Sequence, residues 1–300
     1  MASRLKNKPA IALLITVFFI MLITVSLGVA LKYVKESSDS MRDETLTLQS
    51  AMVLEDFLRI LKTHPALNEV KDKDSLAIFL AQSSLLPFQI DGAQVLVQIS
   101  SASAKINPNI FRDGAKMEVF KSFLLNNGVN VEYADMLGDL INGVKEGNLY
   151  NTDIFNDEPY LFRDYVSSHG HLLKLNEIYK KKYHDNGVDK IDVKELFTTG
   201  KDANGSIDVN YATPLAWQLM LSCDVERAVL LSEGGFGAYS SVADLHLSDE
   251  ENSSLSMFNP VTYSPMIEVK IRVNKREQTV FISFKYNVES KKGSNFVFEV

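Results

Sequence analysis

Ile11-Ala-Leu-Leu-Ile-Thr-Val-Phe-Phe-Ile-Met-Leu-Ile-Thr-Val-Ser-Leu-Gly-Val-Ala-Leu31 is the stretch on which the reading of the whole chain depends. No charged residue occurs between Pro9 and Leu31. As a helix rising about 1.5 Å per residue, the run reaches roughly 30 Å, the thickness of a bilayer core. Arg4, Lys6 and Lys8 precede it, with no acid among the first ten residues. That asymmetry favours keeping the N-terminus in the cytoplasm and placing the bulk of the chain on the other side.

Three readings fit this run. A cleaved secretory signal has an apolar region of about 7–15 residues, shorter than this one. A plain membrane anchor is the second. The third follows the pattern beyond the membrane. Val34, Met41, Leu46, Leu48, Val53, Phe57, Ile60 and Leu61 continue at roughly helical spacing among Lys35, Glu36, Asp43, Glu44, Glu55, Asp56 and Arg59. No proline breaks the run before Pro65. One long helix, apolar all round at its start and amphipathic afterwards, accounts for both halves.

Three hundred residues leave room for one large or two ordinary domains after such a helix, and 46% hydrophobic content supplies a core. The formal charge is -7, and loss of Arg4, Lys6 and Lys8 would make it -10. An acidic exterior argues against binding to a phosphate backbone as the main task. The single cysteine, Cys223, has no partner for an internal disulfide.

The chain after the helix divides by pattern. Residues 66–85 read as helical, with Pro87 ending the run. Leu86–Ile90 and Ala93–Ile99 flank Asp91-Gly92, a two-residue hairpin turn. Near the C-terminus, Ile267, Val269, Ile271 and Val273 alternate with charged residues. After Asn274-Lys-Arg-Glu277, Val280, Ile282, Phe284, Tyr286 and Val288 alternate again. About 150 residues of helical character lie between, so the expected fold is α+β: a small antiparallel sheet carrying a large inserted helical domain.

The insertion contains an echo. Ile106-Asn107-Pro108-Asn109 and Ile207-Asp208-Val209-Asn210 each precede a helix, a turn and a second helix. Asn109 and Asn210 are placed to act as N-caps, and Asn107 and Asp208 belong to the same caps. No nucleophile–base–acid set stands out. His64, His169, His171, His184 and His246 are scattered, and His169-Gly170-His171 reads as a polar loop in preference to a metal pair. Gly234-Gly235-Phe236-Gly237 lacks the flanks of a phosphate loop and reads as a flexible turn. Asp202 and Asn204 read as turn chemistry. Around Gly128 the neighbours in sequence include no base, which argues against a helix-hairpin-helix contact with DNA. The best oxygen-rich set for a hard cation is Asp139, Asn142, Glu146, Asn151, Asp153, Asp157 and Glu158.

The basic leader followed by an apolar helix that continues into a soluble domain resembles the type IV prepilin-like proteins. Most of them have Gly before the peptidase cut and Glu at the fifth mature position. Here those places hold Ala10 and Ile15, with the cut between Ala10 and Ile11. The K-type minor pseudopilins of type II secretion lack that Glu, and their Gly-Val-Ala-Leu-Leu corresponds to Ala10-Ile11-Ala12-Leu13-Leu14. Their Asn-Val-Asn-Thr-Ala-Pro element corresponds to Asp208-Val209-Asn210-Tyr211-Ala212-Thr213-Pro214. Their Ala-Asp-Trp-Leu-Asp-x-Asp stretch corresponds to Gly138-Asp139-Leu140-Ile141-Asn142-Gly143, without the Trp and the two later acids.

The resemblance implies five segments. They are a leader (1–10), a transmembrane pilin helix (11–62), the first part of a sheet domain (63–105), an inserted helical domain (106–260) and a closing hairpin (261–300). It further implies a non-enzymatic, single-pass protein of the bacterial inner membrane, mostly periplasmic, that sits at the tip of a pseudopilus. Implied partners are the prepilin peptidase, the I-type and J-type minor pseudopilins, the inner-membrane secretion platform and the lipid bilayer, with no nucleic acid. Structural calcium in the helical domain is implied too. A pseudopilin of a competence or type IV pilus machine for DNA uptake is the alternative, and a single-pass membrane enzyme is a third reading.

Overall fold

Alternation in the strands sets the sheet. The computed structural model describes residues 51–90, 93–145, 147, 149–201, 205–275 and 278–299. The apolar run 11–31, with Ala10, Ile11 and Ile15, lies outside those residues, as do Asp91, Gly92, Glu146, Asp202 and Asn204. Among the described residues, no helix is long and apolar enough to cross a membrane. Residues Phe57–Val300 form one compact unit.

Strands β1 (Leu85–Ile90) and β2 (Ala93–Ser101) come before the helical region, and β3 (Ile207–Asp208) and β4 (Pro260–Val261) pair within it. Strands β5 (Met266–Lys275), β6 (Gln278–Asn287) and β7 (Lys292–Glu299) follow it. The main sheet runs β1-β2-β5-β6-β7 and is antiparallel throughout. The neighbours β2 and β5 are thus separated in sequence by everything from 102 to 265. Register aligns Val97 with Ile271 and Ile271 with Ile282, and likewise Ile99 with Val269 and Val269 with Phe284. All these side chains are buried, so one face of the sheet is continuous hydrocarbon.

A helix over 51–63 (α1) buries Phe57 and Leu61. The helical run expected over 66–85 is broken instead into α2 (Pro65–Asn68) and α3 (Lys73–Ser83), and Pro87 lies inside β1. The break is local chemistry. Asp72 accepts from the Ser75 amide while Ser75 bonds back to the Asp72 amide, a capping box that starts a new helix. β1 is an edge strand, where the missing amide of Pro87 is tolerated. The expected closing hairpin gains β7 as a third strand. Lys292-Gly-Ser-Asn-Phe-Val-Phe-Glu299 does not alternate cleanly, because β7 is the other edge and is largely exposed.

Between β2 and β5 lie α4 (Gly114–Asn126), α5 (Glu132–Ile141), α6 (Ile154–Asp157), α7 (His169–Tyr183) and α8 (Val193–Leu196). They are followed by α9 (Pro214–Leu221), α10 (Val225–Glu233) and α11 (Asp249–Ser256). α5 is buried on every side, from Tyr133 and Ala134 through Met136–Ile141, as a helix in the middle of a bundle should be. Phe111 stacks on Phe120 at 4.5 Å, and Phe197 meets both edge-on. Trp217 of α9 is fully buried. The helical region therefore has its own aromatic core.

Candidate functional site

The two echoed motifs have the same local geometry. In the first, Asn107 Oδ1 accepts from the Asn109 amide at 3.0 Å; in the second, Asp208 Oδ1 accepts from the Asn210 amide at 3.0 Å. Asn109 then spends both amide hydrogens on Asn107 Oδ1 and the Gly200 carbonyl, while its own Oδ1 accepts from Val166 N. Asn210 repeats the pattern, donating to the carbonyls of Tyr239 and Thr262 and accepting from Tyr239 N. Each motif's isoleucine also makes a parallel bridge to a later segment, Ile106 to Phe197 and Ile207 to Pro260. Each first helix ends in a left-handed turn, at Gly128 and at Ser222.

The capping role expected for Asn109 and Asn210 does not hold. Asp113 caps α4 and Thr213 caps α9. Only Asn107 caps a helix, the short 3-10 turn Pro108–Arg112. Asn109 and Asn210 are essentially without exposure, a buried amide must be fully bonded, and their side chains are already used on other groups. They latch loops from distant parts of the chain. Asp208 is costlier: burial pushes its carboxyl up to about 6, although the amides of Asn210 and Ser264 pull it back.

The described members of the oxygen-rich set run from α5, which holds Asp139, through α6, which holds Asp157, to Glu158. Asp139, completely buried, accepts from Asn151 N (2.8 Å), Thr152 N (2.7 Å) and Thr152 Oγ1 (2.8 Å), with Lys145 Nζ at 3.5 Å. Asn142 donates its side-chain amide to Gly138 O, back into α5. Lys182 binds both Asp153 and Asp157, the latter at 3.0 Å, and Lys174 lies 3.6 Å from Glu158. Partial burial works against the charge of Lys182, but the bonds to Asp153 and Asp157 outweigh it and raise the ammonium above the ordinary lysine range. The same bond from Lys182 holds Asp153 below the usual carboxylate range. Among the described residues, no group of three or more His, Cys, Asp and Glu side chains is arranged to hold a metal. The described carboxylates of the set, Asp139, Asp153, Asp157 and Glu158, already face protein donors, an arrangement that does not fit the ion.

A third polar cluster sits where the insertion meets the sheet. Glu268 of β5 is buried, with Lys270 at 3.0 Å. Burial opposes its charge, but Lys270, Lys105 and His169 outweigh that and keep it below its ordinary range. Lys105 donates to the Lys194 carbonyl at 2.6 Å, and burial lowers its own affinity for protons. Beside this cluster lies a recess of about 350 Å³ whose lining includes Ser168, His169, Lys194, Lys270, Arg272 and Phe281. The polar groups at its rim have structural duties. Ser168 caps α7 by accepting from His171 N, and a ring nitrogen of His169 meets the Phe197 carbonyl at 2.9 Å.

Two further expectations change. His169 and His171 open the first turn of α7 and do not form a loop. The glycine segment is tightly packed: a Cβ on Gly235 would lie 2.6 Å from Asn210 O, and Phe236 N bonds that same oxygen at 2.7 Å. Gly128, with no base nearby in sequence, has Lys190 Nζ near it in space, 3.6 Å from where its Cβ would stand. Sequence reasoning missed Lys105, Lys145, Lys174, Lys182 and Glu268. Lys174 and Lys182, eight apart on one helix, were the only periodic signal.

No family model and no curated protein matches the chain. In fold it is similar to a chain in the crystal structure of the GspK-GspI-GspJ complex from the enterotoxigenic Escherichia coli type 2 secretion system. The TM-score is 0.59 at 14% identity, covering 86% of this chain and 96% of that one. At this identity the likeness is one of fold, an α+β architecture shared over almost the whole of the other chain.

Proposed function

We propose that this chain is a minor pseudopilin of a type II protein secretion system, resembling the K-type subunit. The observation that carries the reading is the fold-level likeness across 96% of a chain from the GspK-GspI-GspJ complex. It fits a five-stranded antiparallel sheet interrupted between β2 and β5 by a large helical region. The N-terminal sequence supports the same reading. In the proposal, the prepilin peptidase cuts between Ala10 and Ile11. The mature helix anchors in the inner membrane and is then drawn into a periplasmic fibre with I-type and J-type partners, through the inner-membrane platform. The role is structural, without catalysis and without nucleic acid.

The physical case for a tip position rests on charge. In a filament of packed apolar helices, a buried Glu pairs with a neighbour's new N-terminal amine. Ile15 cannot make that pair. A subunit lacking the pair would leave the amine of a subunit stacked above it unmatched, a costly arrangement within the stack but of no consequence at the tip, where nothing lies above. The bulky insertion would also obstruct a further subunit above it.

The test is mass spectrometry of the mature N-terminus from a native bacterial membrane. A chain beginning at Ile11 supports the reading, and Ala10→Phe should then accumulate uncut. A chain that begins at Met1 or near Val29 removes it. Recovery with DNA-uptake components in place of secretion partners would move the same fold to the other machine.

A further inference from the structure

The mismatch between the acidic loop and calcium carries an inference of its own. It rests on the secretion reading only for the expectation that an ion belongs there. Three lysines, one within the loop and two from α7, pair with its carboxylates. Lys182 lies between Asp153 and Asp157, Lys174 reaches Glu158, and Lys145 approaches Asp139. Lys174 and Lys182 are separated by about two helical turns, so both project from one face of α7 onto the segment 153–158. Lys145 also lies 5.7 Å from the centre of the Tyr150 ring, and Arg163 bonds the Tyr150 hydroxyl at 2.9 Å. The loop is therefore drawn toward α5 at one end and toward α7 at the other.

We propose that these ammonium groups replace a calcium ion: the loop is fixed by Lys145, Lys174 and Lys182, and the helical region folds independently of calcium. The argument is one of lone pairs and charge. Calcium takes six to eight oxygens, with carboxylates free to turn toward it. Asp139 has committed its oxygens to two backbone amides and a hydroxyl. Asp153 and Asp157 share one ammonium, and a divalent ion placed between them would have to displace a cation of like sign. Lysine supplies the neutralising charge without any ligand from solution.

Lys182 is the discriminating residue. Its removal leaves Asp153 and Asp157 facing one another and should convert the loop into a calcium-responsive one. The experiment uses the full-length protein in detergent. Thermal unfolding is compared in a chelator and in about 1 mM calcium, the weak end of the range for extracellular sites, alongside equilibrium dialysis with radioactive calcium. The wild type should melt at the same temperature in both and retain no stoichiometric calcium. Lys182→Gln should melt about 2–4 °C lower in chelator and recover with calcium, while Lys182→Arg should behave as the wild type. A wild type that calcium stabilises, or that retains an ion, overturns the proposal, as does a Lys182→Gln that ignores calcium. If Lys182→Gln does not fold, the wild type and Lys182→Arg still decide the matter. An unprocessed N-terminus would sink the secretion reading and leave this comparison intact.

Discussion

Asp208 gives the sharpest quantitative test of how the second latch is held. It is completely buried, its oxygens accept from Asn210 N and Ser264 N, and burial pushes its pKa from 3.8 to about 6. The unfolded chain releases this proton near pH 4 and the native state near pH 6. Across that window the folded state binds more protons, so stability from this group falls as pH rises and levels off above about 6. At about 1.36 kcal/mol per tenfold in proton affinity, ionising Asp208 costs the native state about 3 kcal/mol. Asp208→Asn removes that cost but leaves one of the two amides without an acceptor, a loss of about 1–3 kcal/mol. The variant should therefore be clearly less stable than wild type at pH 4 and close to it at pH 7. Urea titrations followed by fluorescence of Trp217, the single tryptophan and fully buried, measure the difference. Other carboxylates affect both proteins equally, so the change in the difference between pH 4 and 7 isolates Asp208. Parallel pH profiles for the two proteins would refute the reasoning, because they would mean that the buried carboxyl ionises as it does in the unfolded chain.

Three further outcomes follow from packing and charge. Gly235→Ala drives a methyl into Asn210 O and should cost about 1–3 kcal/mol by urea denaturation, whereas Gly114→Ala, with nothing within 4 Å of its Cβ, should change stability by about 0.5 kcal/mol or less. Glu268→Ala leaves Lys270 and the half-buried Lys105 without their carboxylate and should destabilise by about 1–3 kcal/mol, an effect that Lys105→Met in the same chain should partly relieve. Trp217→Ala removes the largest fully buried side chain and should cost about 3–5 kcal/mol, read by loss of helical circular dichroism at lower denaturant.

Much of the architecture was legible in local pattern. Val95, Val97 and Ile99 alternate in one strand, and Ile267 through Val273 in another. The structure makes these strands neighbours with their apolar faces in register. The echo of Ile-Asx-x-Asn was legible as well, because the backbone-bonding habit of Asn and Asp is local. What those side chains bind was not. Asn109 and Asn210 looked like helix caps, yet their partners are Val166, Gly200, Tyr239 and Thr262, far along the chain. The acidic loop misled in the same way, since nothing in its own sequence announces that Lys182 will neutralise it.

By itself, then, the sequence determined the elements whose signal is repeated within a few residues. These are the alternating strands and the Asx turns that begin each half of the insertion. Period and side-chain chemistry fix such features before any distant contact forms. Only the tertiary structure decided that β2 pairs with β5, that Asp208 keeps its proton to about pH 6, and that lysines close the loop around Asp153 and Asp157. Burial and charge pairing depend on which remote segments meet, and one segment's composition carries no record of its neighbours in space.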